Sequence, residues 1–412
     1  MHYDLWAILF LSSLASGVAL VGLLAASRAK EPIALTVGLV TIAVNTWVIF
    51  GLVDAYGRAE IGLTASLLTA AAAAGGYGLA SSLLPLYAPK ATTIAPLELG
   101  ESSDPRITVL LTARLEPEQY NPAAVASELK TMAQDNLPEA AMSIMPFLFA
   151  AQKARYRAAG GHSPSIHAAS ELTERLEAML DVTRFGPVEL VTCNGQDTLD
   201  EAVRRAACRG CSHVIVVSLS IGESYELDRM KSRVDLLRPS AAGMHIVYTP
   251  PLWGSETLAQ EIAERIWISR DHPDRTGVAV IMHGQPESRE KTHSAFDIQE
   301  NSFSNRIRMF LTESGIPEPN VRLCYLDWRD PDVTETIRHL AALGCSRVIV
   351  VPACFPFESV NTILDLQVAV RQSRVESHVH TLILSPWGDD EGIAHVIQEL
   401  VREAERDLRS EI

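Results

Sequence analysis

The feature that most constrains the fold is an internal repeat in the second half of the chain. The stretch Gly210-Cys-Ser-His-Val-Ile-Val-Val217 returns as Gly344-Cys-Ser-Arg-Val-Ile-Val-Val351. Trp253-Gly254 returns as Trp387-Gly388 at the same separation of 134 residues. A constant separation leaves no net gap between the copies, so duplication of one α/β unit is the economical explanation.

Apolar strand-like runs alternate with amphipathic helical stretches through this part of the chain. Predicted strands cover Ile107–Thr112, Val188–Thr192, Val214–Val217, Val278–Met282 and Val348–Pro352. One helix is predicted to begin after an N-cap at Ser163, with Pro164 at its first position. The alternation predicts two similar Rossmann-like lobes, each a parallel sheet with helices on both faces.

The first ninety residues contain three apolar runs of membrane-spanning length. They cover Trp6–Ser27, Ile33–Val53 and Ile61–Leu86. Arg28 and Lys30 lie in the first polar loop, whereas the second loop holds only Arg58. By the positive-inside rule, the first loop and the chain beyond the third span face the cytoplasm. We therefore expect a multi-pass protein of the cell membrane, with residues 6–86 in contact with lipid and a cytoplasmic soluble part.

The predicted organisation comprises an anchor, a polar linker and two lobes. They cover residues 1–90, 91–106, 107–270 and 271–412. The first lobe carries an extra segment, Gln119–Gly161, with an apolar patch that lines a cleft or touches the bilayer: Met142, Met145, Phe147 and Phe149. Because a linker precedes the repeat, the soluble part is expected to fold without the anchor.

Composition and motifs exclude several functions. A net charge of −15 argues against nucleic-acid binding. No Gly-x-Gly-x-x-Gly or P-loop pattern follows a strand, so no organic nucleotide cofactor is expected. Cys208 and Cys211 form a single C-x-x-C pair, which we interpret as packing residues rather than a zinc site. The oligomeric state is left open.

His283 is the first candidate functional residue. It follows the apolar run Val278–Met282, and Gly284 and Pro286 then force a turn. In parallel α/β sheets, ligands bind outside the carboxyl ends of the strands. A histidine there can accept protons near neutral pH or ligate a metal. The alternative is an ordinary loop histidine.

A second candidate stretch follows the repeated strand of the second copy. A helix is predicted to start just beyond Pro356, which would place Glu358, Asn361 or Thr362, and Asp365 on one face. Facing His283, this set predicts a metal or proton-transfer site. The alternative is an acid that favours the helix dipole, together with a solvated aspartate.

Three motifs together resemble the ferrochelatase family. Met282-His-Gly-Gln-Pro-Glu287 is similar to the family's S-x-H-G-x-P-E motif. Pro352–Ile363 is similar in frame to its P-x-x-F-V-S-[DE]-H-x-E-T-L motif, and Tyr156–Pro164 resembles its Y-x-x-I-G-G-x-S-P-L segment. The resemblance extends from about Arg106 to about Glu405.

The resemblance implies insertion of ferrous iron into a porphyrin, protoporphyrin IX or coproporphyrin III, in haem biosynthesis. It implies two lobes around a porphyrin cleft, with the extra segment forming a lip over it. Ferrous iron (Fe2+) is then a substrate, and no organic cofactor is expected. His283 and Glu358 are the implied catalytic and metal-binding residues. The implied substrate-binding residues are Gly161, Ser163, Pro164, Gly284, Pro286, Asn361 and Asp365.

The sequence departs from the family motif at Asn361, which stands where the family has its catalytic glutamate. An amide cannot take up a proton or carry charge. Glu358, expected one helical turn earlier, is predicted to supply the carboxylate instead. The alternative function is a non-catalytic, membrane-anchored protein that binds haem or porphyrin. A third is metallation of another tetrapyrrole.

Overall fold

The computed structural model describes residues 2–88, 95–100, 104–134, 141–193 and 198–410. The chain forms two compact units. One comprises residues 1–91 and 119–162, and the other comprises residues 92–118 and 163–412. The extra segment, predicted as part of the first lobe, thus belongs to the unit of the anchor helices.

The helices of the first unit are α1 (His2–Ala25), α2 (Glu31–Tyr56), α3 (Ala59–Leu83), α4 (Pro122–Gln134) and α5 (Ala141–Ala158). Those of the second are α6 (Ser165–Met179), α7 (Leu199–Cys208), α8 (Tyr225–Asp235), α9 (Glu256–Ser269), α10 (Glu287–Glu290), α11 (Ser294–Glu313), α12 (Val333–Ala342), α13 (Val360–Ser373) and α14 (Glu391–Ser410). The strands are β1 (Ile107–Ala113), β2 (Phe185–Thr192), β3 (His213–Ser218), β4 (His245–Tyr248), β5 (Thr276–Met282), β6 (Val321–Tyr325), β7 (Arg347–Val351) and β8 (His380–Ile383).

Helices α1, α2 and α3 are each long and apolar enough to cross a membrane. Small residues let α1 and α3 approach closely: a Cβ atom at Gly17 would lie 2.0 Å from the carbonyl oxygen of Ala73. The buried Asn45 of α2 accepts a hydrogen bond from Ser13 at 3.1 Å and donates one to Ser16 at 3.2 Å. These polar contacts tie α2 to α1 inside the bundle.

The extra segment packs on the anchor through apolar side chains. Met145 is 8% exposed and Phe149 is fully buried. Their cluster includes residues from α1 and from just beyond the end of α3: Val21, Ala25, Leu84 and Ala88. This burial explains why the segment joins the first unit. Of the predicted apolar patch, the side chain of Met142 lies outside the described residues.

Polar contacts fix the same segment to the end of α1. Lys153 Nζ donates to the carbonyl oxygen of Leu23 at 2.6 Å, and the Tyr120 hydroxyl donates to that of Ala25 at 2.9 Å. The last carbonyl groups of a helix lack partners within the helix. The extra segment therefore satisfies acceptors that α1 leaves open.

The second unit contains two parallel four-stranded sheets with the same order of strands, β2-β1-β3-β4 and β6-β5-β7-β8. The repeated strands β3 and β7 occupy the same place in their sheets, which confirms the predicted pair of similar lobes. All residues of β1 and β5 are buried, as expected for central strands covered on both faces.

The last helix of each copy packs on the other lobe. Helix α9 contacts α11 and β7 of the second lobe, whereas α14 contacts α6, β3 and β4 of the first. Gln398 of α14 donates to the carbonyl oxygen of Met179 at 2.6 Å, and Glu405 forms an ion pair with Arg184. This exchange gives the two lobes one shared apolar core.

Part of the predicted linker is packed on the first lobe. Leu97 is buried, and its backbone N–H donates to the carbonyl oxygen of Leu237 at 2.9 Å. Gly100 lies so close to the end of α7 that a Cβ atom there would be 2.3 Å from the carbonyl oxygen of Cys208. Residues 95–100 are thus part of the lobe surface.

Candidate active site at the strand ends

His283 lies directly after β5, at the predicted carboxyl end of the strand. A carboxylate of α11 holds its backbone: Glu300 accepts from the N–H of His283 at 3.1 Å and from that of Gly284 at 3.0 Å. Gly284 has a φ of +74°, and a Cβ atom there would lie 2.7 Å from the carbonyl oxygen of Asp327. The turn after β5 therefore requires glycine and is fixed in place by Glu300.

Glu300 is a buried acid that lies outside all three sequence motifs. It is 1% exposed, and burial raises its pKa to about 7, although the two backbone N–H groups act in the opposite direction. A sequence signal existed: Glu300 shares the helical stripe of Phe303, Ile307 and Leu311, which are all buried. A charged residue on a core-facing stripe is a candidate for a specific role.

The ring of His283 meets an arginine from the first lobe. Arg114 follows β1, and its Nη1 atom lies 3.2 Å from His283 Nε2. A guanidinium can only donate, so Nε2 accepts and the proton of the neutral ring sits on Nδ1. Nδ1 is buried without a hydrogen-bond partner. Burial, and then the charge of Arg114, lower the pKa of His283, while Asp327 and Glu226 act against this.

Glu226 brings a carboxylate from the first lobe towards the same histidine. It lies in the first turn of α8, whose N-cap is Ser224. Arg289 Nη1 donates to Glu226 Oε1 at 3.1 Å. Burial alone would raise the pKa of Glu226, but Arg114 and Arg289 outweigh it and bring the pKa below its usual range. Glu226 is therefore ionised near neutral pH.

The start of α8 is held firmly against the second lobe. The backbone N–H of Glu223 donates to Gln299 Oε1 at 2.7 Å, and Asp228 lies 3.1 Å from His293 Nε2. Arg289 also stacks on the Tyr225 ring, 4.4 Å from its centroid. These contacts fix the position of Glu226 relative to the strand that carries His283.

Glu226 and Asn361 occupy equivalent positions in the two lobes. Each is the second residue of the helix that follows the third strand of its sheet, and a serine caps each helix: Ser224 for α8 and Ser359 for α13. The dipeptide Glu-Ser precedes both helices in the sequence. The first lobe thus keeps a carboxylate where the second has an amide.

Glu116 joins several of the predicted substrate-binding residues. Its Oε2 accepts from the backbone N–H of Val360 at 2.6 Å and from the Ser163 hydroxyl at 3.1 Å, and its Oε1 accepts from the N–H of Asn361 at 3.4 Å. An acid is favourable at a helix N-terminus. Ser163 is therefore a partner of Glu116 rather than the predicted N-cap, and Pro164 holds the cap position of α6.

The predicted helical placement of Glu358 is wrong. Helix α13 begins at Val360, because Ser359 and Thr362 form a capping box. Glu358 therefore precedes the helix, while Asn361 and Asp365 lie one turn apart within it. Pro286 caps α10.

Gly161 lies in the other compact unit, beyond the end of α5, with a φ of +94°. Its N–H donates to the carbonyl oxygen of Tyr156 at 2.7 Å.

The contacts of the second unit assemble two neighbouring groups at the carboxyl end of β1. One group contains His283, Gly284, Arg114, Glu226 and Glu300, and the other contains Ser163, Asn361 and Glu116.

No set of three or more His, Cys, Asp or Glu side chains is arranged to hold a metal ion within the described ranges. The charge of Glu226 acts on His283, so the site combines a neutral base with a negative charge. Such a pair can accept a proton and offset a cationic charge.

Two similar lobes with a histidine at the end of a central strand define a chelatase-like α/β protein. The profile of the ferrochelatase family matches residues 109–405. The chain therefore belongs to the ferrochelatase family, as its motifs predicted.

Curated relatives are distant. The chain is 24% identical to the ferrochelatase of Thermosynechococcus vestitus over 139 residues, which is 32% of this chain and 35% of that one. It is 23% identical to the ferrochelatase of a Cyanothece species over 248 residues, 54% of this chain and 61% of the relative. The matched regions thus span less than two thirds of these relatives.

Solved structures with a similar arrangement are also distant. A multi-domain Deinococcus radiodurans protein with structural similarity to chelatases aligns over 72% of this chain and 55% of its own, with 14% identity and a TM-score of 0.46. SirB from Bacillus subtilis, solved with Fe3+, aligns over 73% of this chain and 95% of its own, with 14% identity and a TM-score of 0.45.

Proposed function

We propose that this protein is a membrane-anchored chelatase that inserts ferrous iron into a porphyrin, in the manner of haem biosynthesis. The proposal rests chiefly on the pairing of a neutral His283 with an ionised Glu226 at the strand ends. Metallation removes two pyrrole protons and delivers a dication, so it needs a base and a compensating negative charge. Membership of the ferrochelatase family supports this reaction class.

Arg114 is the porphyrin-binding residue in this scheme. Its side chain is exposed, and a planar guanidinium fits a carboxylate with two parallel hydrogen bonds. A porphyrin carboxylate would draw Arg114 away from His283 Nε2. Because Arg114 lowers the pKa of His283, its departure makes the imidazole a stronger base when substrate is present.

Glu226 supplies the carboxylate that Asn361 cannot. It occupies the equivalent helical position in the first lobe, and Arg289 orients it. Glu358, the carboxylate proposed from the sequence, lies in the loop before α13 and is the competing candidate. The soluble unit is proposed to face the cytoplasm, with the anchor keeping it beside a bilayer in which apolar porphyrins partition.

The test is anaerobic incubation of the detergent-purified full chain with ferrous iron and protoporphyrin IX or coproporphyrin III, followed by absorbance. We expect the metallated spectrum with wild type and a roughly 10²–10⁴-fold slower reaction with Glu226→Gln, the usual effect of losing a positioned acid or base. Glu223→Gln is the matched control, since this exposed acid lies just before the N-cap of the same helix. Equal rates for both variants would remove Glu226 from the mechanism.

Asn361 favours a second candidate function, a tetrapyrrole-binding protein that does not metallate. In that case wild type leaves the free-base spectrum unmetallated but shifts the porphyrin absorbance band on binding. Absence of both metallation and binding would contradict both proposals.

A further inference from the structure

Helix α5 has two chemically different halves. In the first half Ile144, Phe147 and Leu148 are exposed, with relative exposures of 52%, 57% and 37%. Met145 and Phe149 are buried on the other side of the same turns. Residues 144–149 are therefore apolar all round, a pattern that belongs to a protein core or to a membrane. The second half ends with the basic residues Arg155 and Arg157.

The apolar half lies beside a membrane span. The ring of Phe147 is 6.4 Å from that of Tyr77 in α3. Tyr77 precedes the end of α3 by six residues, which places it about 9 Å inside the helix end at 1.5 Å per residue. Leu83 and Leu86, at the end of this span, are also exposed. The exposed apolar face of α5 thus continues the lipid-facing surface of the anchor.

The polar half lies at the polar end of the same helices. Arg157 forms an ion pair with Glu31, the first residue of α2, and Lys153 binds the carbonyl oxygen of Leu23 near the end of α1. The loop between these helices holds Arg28 and Lys30. Basic residues are favoured where a helix meets the headgroups. Helix α5 therefore runs from the membrane surface towards the hydrocarbon region.

We propose that residues 144–149 of α5 insert among the lipid acyl chains beside the third span, as an embedded segment that enters the bilayer without crossing it. The occupant of the exposed face is lipid, because Ile144, Phe147 and Leu148 continue a surface that the spans already present to lipid. Most backbone groups cause no conflict, since a helix satisfies them internally. The exception is Pro146, which leaves one carbonyl group of the preceding turn without its helical partner, a loss that membrane helices tolerate.

The test measures the depth of three positions on one face of α5. Ala154 and Ala158 are exposed and follow Phe147 by two and three helical turns, about 10 and 16 Å along the axis. Phe147→Cys, Ala154→Cys and Ala158→Cys are each made with Cys208→Ser, which removes the exposed native thiol. Each full-length variant is labelled with an environment-sensitive fluorophore and reconstituted in phosphatidylcholine vesicles.

We expect quenching by acyl-chain (12-doxyl) lipid to be strongest at position 147 and weakest at 158, and quenching by aqueous iodide to follow the opposite order. Shielding of position 147 from both quenchers would mean that protein covers it and would overturn the proposal. Iodide quenching at 147 equal to that at 158 would overturn it as well, because the site would then be in water. Elution of each labelled variant at the wild-type position on size exclusion confirms that folding is retained.

Discussion

Arg114 and His283 follow the equivalent central strands of the two lobes, β1 and β5, and their side chains meet with Nη1 3.2 Å from Nε2. The duplication thus brings a permanent cation and a titratable ring to one point. Because a guanidinium stays charged, it favours the neutral form of the ring. The contact links the first lobe to the residue that carries the family motif in the second.

Replacing Arg114 by Met is expected to raise the pKa of His283, because a charge that lowers it is removed. The neutral ring is the active form, so the acid limb of kcat/KM should move to higher pH. KM for porphyrin should rise too. Arg114→Lys keeps the charge and should keep the limb near its wild-type position. An unchanged limb in Arg114→Met would argue against this contact in solution.

His283→Ala is expected to abolish metallation while changing the free energy of unfolding by only about 1 kcal/mol, a typical single-substitution effect. Glu300 binds the backbone N–H of this residue, and alanine retains that group. Activity and thermal unfolding of the same preparation check the prediction. A loss of several kcal/mol would indicate a structural role for the ring.

The fold followed closely from the sequence because its signals are local. Strand β5 was predicted as Val278–Met282 and is Thr276–Met282, and His283 was correctly placed at its end. The role of Arg114 was missed because the extra segment lies between β1 and the rest of the first copy. Strands β1 and β5 therefore do not share the constant separation of 134 residues. Aligning β1 with β5 directly would have paired Arg114 with His283.

Long-range contacts explain the other misses. Glu116 reaches the start of α13, and nothing near it in sequence indicates that partner. Glu226 was missed because α8 and α13 begin 135 residues apart, one residue more than the 134-residue separation of the repeat. That separation therefore does not align Glu226 with Asn361. The packing of the extra segment on the anchor depends on Met145 and Phe149, which a linear pattern assigns equally well to a cleft.

Glu300 is expected to make stability depend on pH. Its pKa is raised to about 7 in the folded protein from a usual value near 4.5, so the folded state binds the proton more tightly. The stabilisation that this proton gives the folded state is complete below pH 4.5 and is lost as pH rises through 7. For this pKa shift, the free energy of unfolding falls by about 3 kcal/mol.

Thermal midpoints of wild type and Glu300→Gln, measured from pH 5 to 8, check this expectation. The variant should be less stable at low pH, because its amide NH2 group cannot accept a hydrogen bond from the second N–H, whereas the hydroxyl oxygen of the protonated acid can. The difference between the two proteins should narrow as pH rises. A constant difference across the range would mean that Glu300 keeps an ordinary pKa.

The identity of the working carboxylate can be settled by rescue. If Glu226 is the working carboxylate, the metallation rate of Glu358→Gln should be near that of wild type. Adding Asn361→Glu to Glu226→Gln should then restore part of the lost activity. Rescue should be partial, since Asn361→Glu adds a charge beside Glu116, which binds the backbone N–H of residue 361. Loss of activity in Glu358→Gln alone would return the role to Glu358.

The last prediction concerns how the chain can be divided. Removing residues 1–91 alone would uncover the apolar face of α5 that packs on the anchor, including Met145 and Phe149, so this shortened chain should aggregate. Aggregation of this shortened chain would contradict the expectation that everything beyond the linker folds by itself.

Removing residues 119–162 as well should give a soluble protein. The residues that flank the extra segment are adjacent in space, because the N–H of Ser163 donates to the carbonyl oxygen of Glu118 at 2.8 Å. A short Gly-Ser linker can therefore join the two ends without strain, since each added residue can span about 3 Å. The remaining unit keeps both sheets and their shared core. Size-exclusion chromatography and cooperative thermal unfolding of the two shortened chains provide the comparison. If the chain without residues 1–91 were soluble and the chain that also lacks residues 119–162 aggregated, the assignment of the extra segment to the anchor would be contradicted.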